Sequence, residues 1–380
     1  MQQSNTFCSA PWIGMYYHTD QISPCCYMRT NENLVMTPNE YRNSEWLKSL
    51  KQEFLDGKRP SVCKPCWEKE DRGLQSVRTK WPTHNPDNGE KITWLEIRES
   101  NLCNFKCRSC NPNDSSLVQK EIEENPELIP WFPKKTTMDS NISDEAWSQI
   151  LDLSIGLESL TLTGGEPMLI KRYYDLLDHL IANGRNEDLI LRVYTNCSVW
   201  NPIFMEKFLK FKRAELKLSI DGVGKSAEYQ RHGTKWDIVR ENVFKFAELP
   251  ISIGTHSVLS AYSLLTLSSL TDFLLEIVNY PDRKANLINF SAQAISTPAS
   301  IQYNNLNVDL RIRAIKEIDE ALKKIESKPE TFRILINELV AVKSQLLIRR
   351  DCYFDRFVAT TKGLDKIRNQ SFEEVFNYKI

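Results

Sequence analysis

The sequence predicts an α/β protein built on a parallel sheet, and three observations lead there. Six short runs rich in β-formers, bounded by glycine, asparagine or aspartate, lie between about Lys91 and Thr297. Helical patterns separate them, so strand returns to strand by crossover, which makes neighbouring strands parallel. The flanks differ: five of the ten cysteines fall in the first 70 residues, and the tail from about Leu306 carries only helical periodicity. Pattern alone leaves open whether the sheet is flat or curled into a barrel.

In chain order, "SEWLKSLKQEFLDG" reads as one helix stopped at Gly57. The strands are Ile92–Arg98, Glu158–Gly164, Leu189–Thr195, Ala214–Ile220, Ile251–Leu259 and Ala285–Ile295. Between them, "KRYYDLLDHLIANG" is a helix with Gly184 as C-cap, and "NPIFMEKFLKF" starts with proline in its first turn, where the missing N–H costs little. "WDIVRENVFKFAEL" and "LLTLSSLTDFLLEIV" fill the next two gaps. In the tail, Val308, Ile312, Ile315, Ile318, Leu322 and Ile325 recur at steps of three and four, a stripe expected to pack on the core, and a second helix follows Pro329. The expected division is 1–90, 91–300 and 301–380.

Composition bounds the function. Of the 380 residues 41% are hydrophobic and 26% charged, and the net charge of −1 gives no electrostatic case for nucleic acid or an anionic membrane. The opening "MQQSNTFCSAPW" lacks a basic flank and apolar run, and no stretch approaches the ~20 apolar residues of a membrane span. A cytoplasmic protein is expected, whose cysteines serve as metal ligands, catalytic groups or buried thiols. Cys197 and Cys352 stand alone; the bland reading, a small buried hydrophobe, suits Cys352.

The sharpest signal is "CNFKCRSC", Cys103 to Cys110. Clustered thiolates select zinc, copper(I) or iron–sulfur, and structural zinc asks for four ligands, usually in two pairs. Three thiolates suit a four-iron cubane with one iron left open to substrate or cofactor. The triplet follows the first strand of the alternating region, at its C-terminal end, where α/β folds bind ligands.

These residues resemble the signature of the radical S-adenosylmethionine superfamily. "TGGEP" (Thr163–Pro167), "YTN" (Tyr194–Asn196), "LSIDG" (Leu218–Gly222) and "EYQRHG" (Glu228–Gly233) follow successive strands, as that superfamily's motifs do. The resemblance implies a partial (β/α)6 barrel with Cys103, Cys107 and Cys110 holding a [4Fe–4S] cluster. It implies S-adenosylmethionine on that cluster, with contacts from Gly164, Gly165, Glu166, Asn196, Ser219 and Arg231. Glu166 would accept from the amino group, and Arg231 would pair with the carboxylate. One departure stands out: Ser109 replaces a residue usually apolar or aromatic, which shifts adenine packing to Phe105 or the last two strands. Cys197, where relatives often have glycine, would point to the barrel mouth. Asp221 is a candidate acid/base, with a helix cap as the plainer reading.

The N-terminal "FCSAPW…SPCCYMR…CKPCWEKE" offers Cys8, Cys25 (or its neighbour Cys26), Cys63 and Cys66 as a four-ligand set, suited to zinc or to iron–sulfur. Together with "WEKEDRGLQSVR" (Trp67–Arg78) and "FEEVF" (Phe372–Phe376) it resembles the twitch module, the short form of the SPASM domain, placed before the barrel. That resemblance implies a second [4Fe–4S] cluster that accepts an electron. It also implies an electron donor such as flavodoxin or ferredoxin, and oxidation or cross-linking of a peptide residue. A sugar or small-metabolite substrate is the alternative within enzymes, and a non-catalytic zinc protein the alternative class. The segment Asn113–Ser143, with Trp131 and Phe132 between prolines, reads as a lid, a clamp or a surface excursion.

Overall fold

The computed structural model describes residues 5–18, 21–28, 36–71, 76–132, 142–348 and 353–380. Cys352, Thr19 and Asp20 lie outside these. Among the described residues the strands are β1 (Gly14–His18), β2 (Gln21–Ser23), β3 (Trp94–Arg98), β4 (Lys106–Cys107), β5 (Ser159–Thr163), β6 (Ile190–Thr195), β7 (Arg213–Ser219), β8 (Arg231–His232), β9 (Ser252–Leu259), β10 (Asn286–Leu287) and β11 (Ser291–Ala294). The sixth expected strand is thus two short ones, both parallel to β9.

The main sheet runs β10-β9-β7-β6-β5-β3-β1-β2, with β11 also on β9. From β3 to β9 the strands stand in sequential order and pair in parallel. A doubly wound sheet reverses order at a switch point; this one does not. The helices Lys171–Ala182, Pro202–Phe208, Trp236–Ala247 and Leu267–Asn279 lie at the expected crossovers.

The sheet also crosses the expected boundary near residue 90. β1 pairs in parallel with β3, Gly14 opposite Trp94 and His18 opposite Arg98, and β2 returns antiparallel to β1. The N-terminal hairpin therefore extends the sheet. Among the described residues one large apolar core includes Cys8, Ile97, Leu218 and Phe376, beside a second, smaller cluster.

Strand alternation gives the sheet two unlike faces. On β3, Leu95 and Ile97 are buried while Trp94, Glu96 and Arg98 are half-buried on the opposite face. On β6, Leu191, Val193 and Thr195 are buried, and Arg192 and Tyr194 share the polar side. The polar side carries the cavities.

The tail packs differently from its expected stripe. Val308 and Ile312 are 67% and 62% exposed, whereas Leu310, Ala314, Ile318, Ala321 and Ile325 are buried. The contact face is rotated because the alanines admit close approach to Leu267–Asn279 and Pro329–Leu347. Trp131 and Phe132 are not a free lid: Phe132 is buried with Val118, Leu128 and Leu364, and Trp131 packs over Gly363. No described helix is long and apolar enough to cross a membrane.

Candidate active site

A cavity of about 450 Å3 opens at the C-terminal ends of the parallel strands. Cys103, Cys107 and Cys110 line it, together with Gly164, Gly165, Asn196, Ser219 and Arg231 from the loops and strand ends that follow. The topology gathers these residues from positions 103 to 231, because sequential parallel strands deliver every such loop to one end.

The cysteine loop is built by short-range bonds. The Ser116 hydroxyl accepts from Cys103 N–H at 3.3 Å, and Ser115 Oγ donates to the Phe105 carbonyl at 2.8 Å. β4 pairs with β8, setting Cys107 opposite Arg231, whose Nη1 stands 3.9 Å from Cys107 Sγ. Burial pushes the Cys103 thiol up to about 12, with the Cys107 thiol and Glu166 adding to it and Arg231 opposing. Cys110 is pushed well up by burial, Asp114 and the other two thiols. Thiols that raise their neighbours in this way, Cys107 acting on Cys103 and both acting on Cys110, fit a cationic group between them.

The "TGGEP" glycines have a local reason. Gly164 adopts φ +115°, and a Cβ there would fall 2.7 Å from the Ser100 carbonyl oxygen. At Gly165 it would fall 1.9 Å from the Leu102 carbonyl oxygen. Gly165 N–H donates to Ser100 O at 3.1 Å and Glu166 N–H to Leu102 O at 2.8 Å. The loop is thus laced to the backbone just before Cys103.

Several expected contacts sit elsewhere. Glu166 is fully buried and outside the cavity lining; it accepts from Asn196 N–H at 2.7 Å, Thr195 Oγ1 at 2.9 Å and Met168 N–H at 3.3 Å. Burial pushes its carboxyl up to about 7 against these bonds. Phe105 is 1% exposed and in the core, so it offers no adenine face, whereas Ser109 does line the cavity. Cys197 is fully buried and points to packing, not to the mouth, and its φ of 63° explains why glycine suits that position. Asp221 caps no helix and lines no part of this cavity. Its Oδ2 accepts from Arg231 Nε and its Oδ1 from Val258 N–H, at 2.8 and 2.7 Å. It orients Arg231.

Sequence reading missed Tyr27, Glu96, Arg98, Asp114, His256 and Gln293 on the lining, and it offered Cys26 only as a ligand of the N-terminal set. The available signal was alternation, since "WLEIR" places Glu96 and Arg98 on one face with Trp94. Arg98 forms an ion pair with Asp114, which lowers the Asp114 carboxyl despite its burial.

A second thiol group stands apart. Cys8, Cys25, Cys63 and Cys66 line one small cavity of about 10 Å3 with Phe54, Arg78 and Trp81. Cys26, the neighbour of Cys25, faces the large cavity instead. Cys63 ends a 3-10 turn and Cys66 lies in the first turn of Lys64–Glu70, so the two-residue spacing turns both inward. Burial pushes Cys8 and Cys25 up to about 12, and the Cys66 thiol adds to both. Arg78 binds Phe7 O at 2.6 Å and pairs with Glu70 at 2.5 Å, closing the site. Among the described residues no three His, Cys, Asp or Glu side chains are gathered tightly enough to hold a single metal ion.

Comparison with known proteins gives one curated relative. GTP 3′,8-cyclase of Campylobacter fetus subsp. fetus (strain 82-40) is 23% identical over 255 residues, 65% of this chain and 70% of that protein. No family model matches. Among solved structures, anSMEcpe with bound AdoMet overlaps at a TM-score of 0.43 and 18% identity, covering 61% of this chain and 58% of that one. SuiB of Streptococcus suis, bound to its precursor peptide SuiA, overlaps at 0.42 and 15% identity, covering 79% and 55%. The chain spans less than two thirds of either, and both overlaps are partial.

Proposed function

We propose that Cys103, Cys107 and Cys110 hold a [4Fe–4S] cluster and that the 450 Å3 cavity takes S-adenosylmethionine beside it. One observation carries this reading: three thiols share a single cavity with the glycine loop, Asn196, Ser219 and Arg231. When bound, the pair would supply a 5′-deoxyadenosyl radical that takes a hydrogen atom from substrate.

The chain's own residues bind and orient. Arg231, held by Asp221, presents a fixed guanidinium suited to a carboxylate. Asn196 and Ser219 offer polar atoms suited to ribose hydroxyls. The backbone of Gly164 and Gly165 is open to an amino group, while Glu166 holds the loop and the Thr195–Asn196 turn from beneath. Cys8, Cys25, Cys63 and Cys66 would hold a second [4Fe–4S] cluster. A redox site beside the substrate space suits oxidation or cross-linking of a peptide or protein residue, with flavodoxin or ferredoxin as electron donor.

The test is anaerobic reconstitution followed by reduction with dithionite. Two clusters' worth of iron and release of 5′-deoxyadenosine are expected. Deuterium transfer from labelled peptides into 5′-deoxyadenosine then identifies the substrate. Absence of cleavage in iron-replete protein overturns the reading.

A further inference from the structure

A second cavity, of about 200 Å3, lies beside the larger one. Its walls are mostly apolar and aromatic: Met15, Tyr16, Trp81, Trp94 and Leu95. It shares Cys26, Glu96 and Tyr194 with the large cavity. On its other side it shares Cys25 and Trp81 with the four-cysteine pocket. It therefore lies between the two thiol groups.

Its construction is specific. Trp81 and Trp94 meet with ring centroids 5.7 Å apart at 55°. Gly14 makes room for them, since a Cβ there would fall 2.4 Å from the Trp81 ring. Glu96 projects from β3 at the shared wall. Its hydrogen-bond partner is the Cys26 thiol, and Arg98 and Arg192 act on it through charge. A carboxylate accepts about four hydrogen bonds, so acceptor capacity remains toward the cavities.

The charges narrow the ligand. Arg192 is engaged by Glu215 at 2.8 Å, so it is not free to draw an anion. With Arg192 taken up in that pair, Glu96 and Lys80 leave the lining one charge of each sign, so net charge favours neither an anion nor a cation. An uncharged donor meets neither obstacle, and aromatic walls favour a planar partner in offset or edge contact.

We propose that this second cavity is a substrate subsite for an uncharged planar group bearing an N–H or O–H, seated against Trp81 and Trp94 with its donor on Glu96. The inference rests on the proposed function for the identity of the larger cavity as the radical site. It goes further in naming the chemical class of the group delivered there.

The test uses the full-length protein under anaerobic conditions, with indole and 1-methylindole as probes and calorimetry or ligand-observed NMR as readout. Indole is expected to bind, and 1-methylindole, which has no donor, to bind about tenfold more weakly. Trp81→Ala and Glu96→Gln should each weaken indole, with Trp81→Phe restoring much of the loss. No binding of indole, equal binding of the two probes, or binding indifferent to both substitutions overturns the proposal. S-adenosylmethionine binding by the same wild-type sample reports separately on the larger cavity. Its absence beside a normal indole result counts against the radical reading alone.

Discussion

Arg108 and Asp365, 257 positions apart, are joined by a hydrogen bond of 2.5 Å from guanidinium Nη2 to carboxylate Oδ1. Arg108 lies between Cys107 and Cys110 and is 1% exposed. It also donates to Tyr229 O at 3.0 Å and Gln370 Oε1 at 3.0 Å, and its guanidinium sits 3.7 Å from the Tyr229 ring centroid. On the other side of Cys107, Lys106 pairs with Glu121, which also binds Arg368. The middle cysteine is bracketed by the Arg108–Asp365 pair and by the chain of pairs Lys106–Glu121–Arg368, both of which reach the helix Phe354–Arg368.

Asp365→Ala leaves the Arg108 charge buried without its partner, which typically costs about 3–5 kcal/mol. Asp365→Asn keeps an acceptor and should cost less. Denaturant unfolding under anaerobic conditions measures both. Iron retained by the three-cysteine site should fall in the same order, and a neutral Asp365→Ala would show that the tail does not support the loop.

The triple substitution Cys103→Ala, Cys107→Ala and Cys110→Ala should abolish S-adenosylmethionine cleavage and leave the iron of one cluster. Iron analysis and 5′-deoxyadenosine release measure the two effects. Retained cleavage would falsify the assignment of the triplet.

The adjacent cysteines should separate cleanly. Cys25→Ala is expected to lose the second cluster's iron and its paramagnetic signal, because Cys25 shares the pocket of Cys8, Cys63 and Cys66. Cys26→Ala should keep both, because it faces the other cavity. The reverse result reassigns the ligand. Stoichiometric zinc in anaerobically purified protein removes the second cluster altogether.

Glu166 predicts a pH dependence. Its carboxyl is raised from 4.5 to about 7, so between those values the folded chain binds more protons than the unfolded one. Stability then falls as pH rises through this window, by about 3 kcal/mol in all. Glu166→Gln stays neutral and should lose that slope. Urea unfolding of metal-free protein at pH 5 to 8 compares the two; parallel curves would show that Glu166 does not titrate there.

Local signals carried the strands, because β-branched runs and turn residues act at short range. They carried the cysteine triplet and "TGGEP" for the same reason, since ligand spacing and tight loops are written in neighbouring residues. The sequence itself determined that positions 103, 107, 110, 164, 165, 196, 219 and 231 follow successive strands. Tertiary structure decided which of them face the cavity. Glu166 and Asp221 turned to partners that only folding brings near, Asn196 and Thr195 for one, Arg231 and Val258 for the other. Cys25 and Cys26 are indistinguishable by spacing, and the chain reversal after β2 sends one to each cavity. The hairpin's place in the sheet depends on β1 meeting β3 across about 75 residues of chain, a pairing that no local pattern encodes. The clamp of Arg108 by Asp365 and the second cavity belong to the same class. Both are made of residues whose roles come from long-range packing, which sets burial and charge neighbours independently of sequence distance.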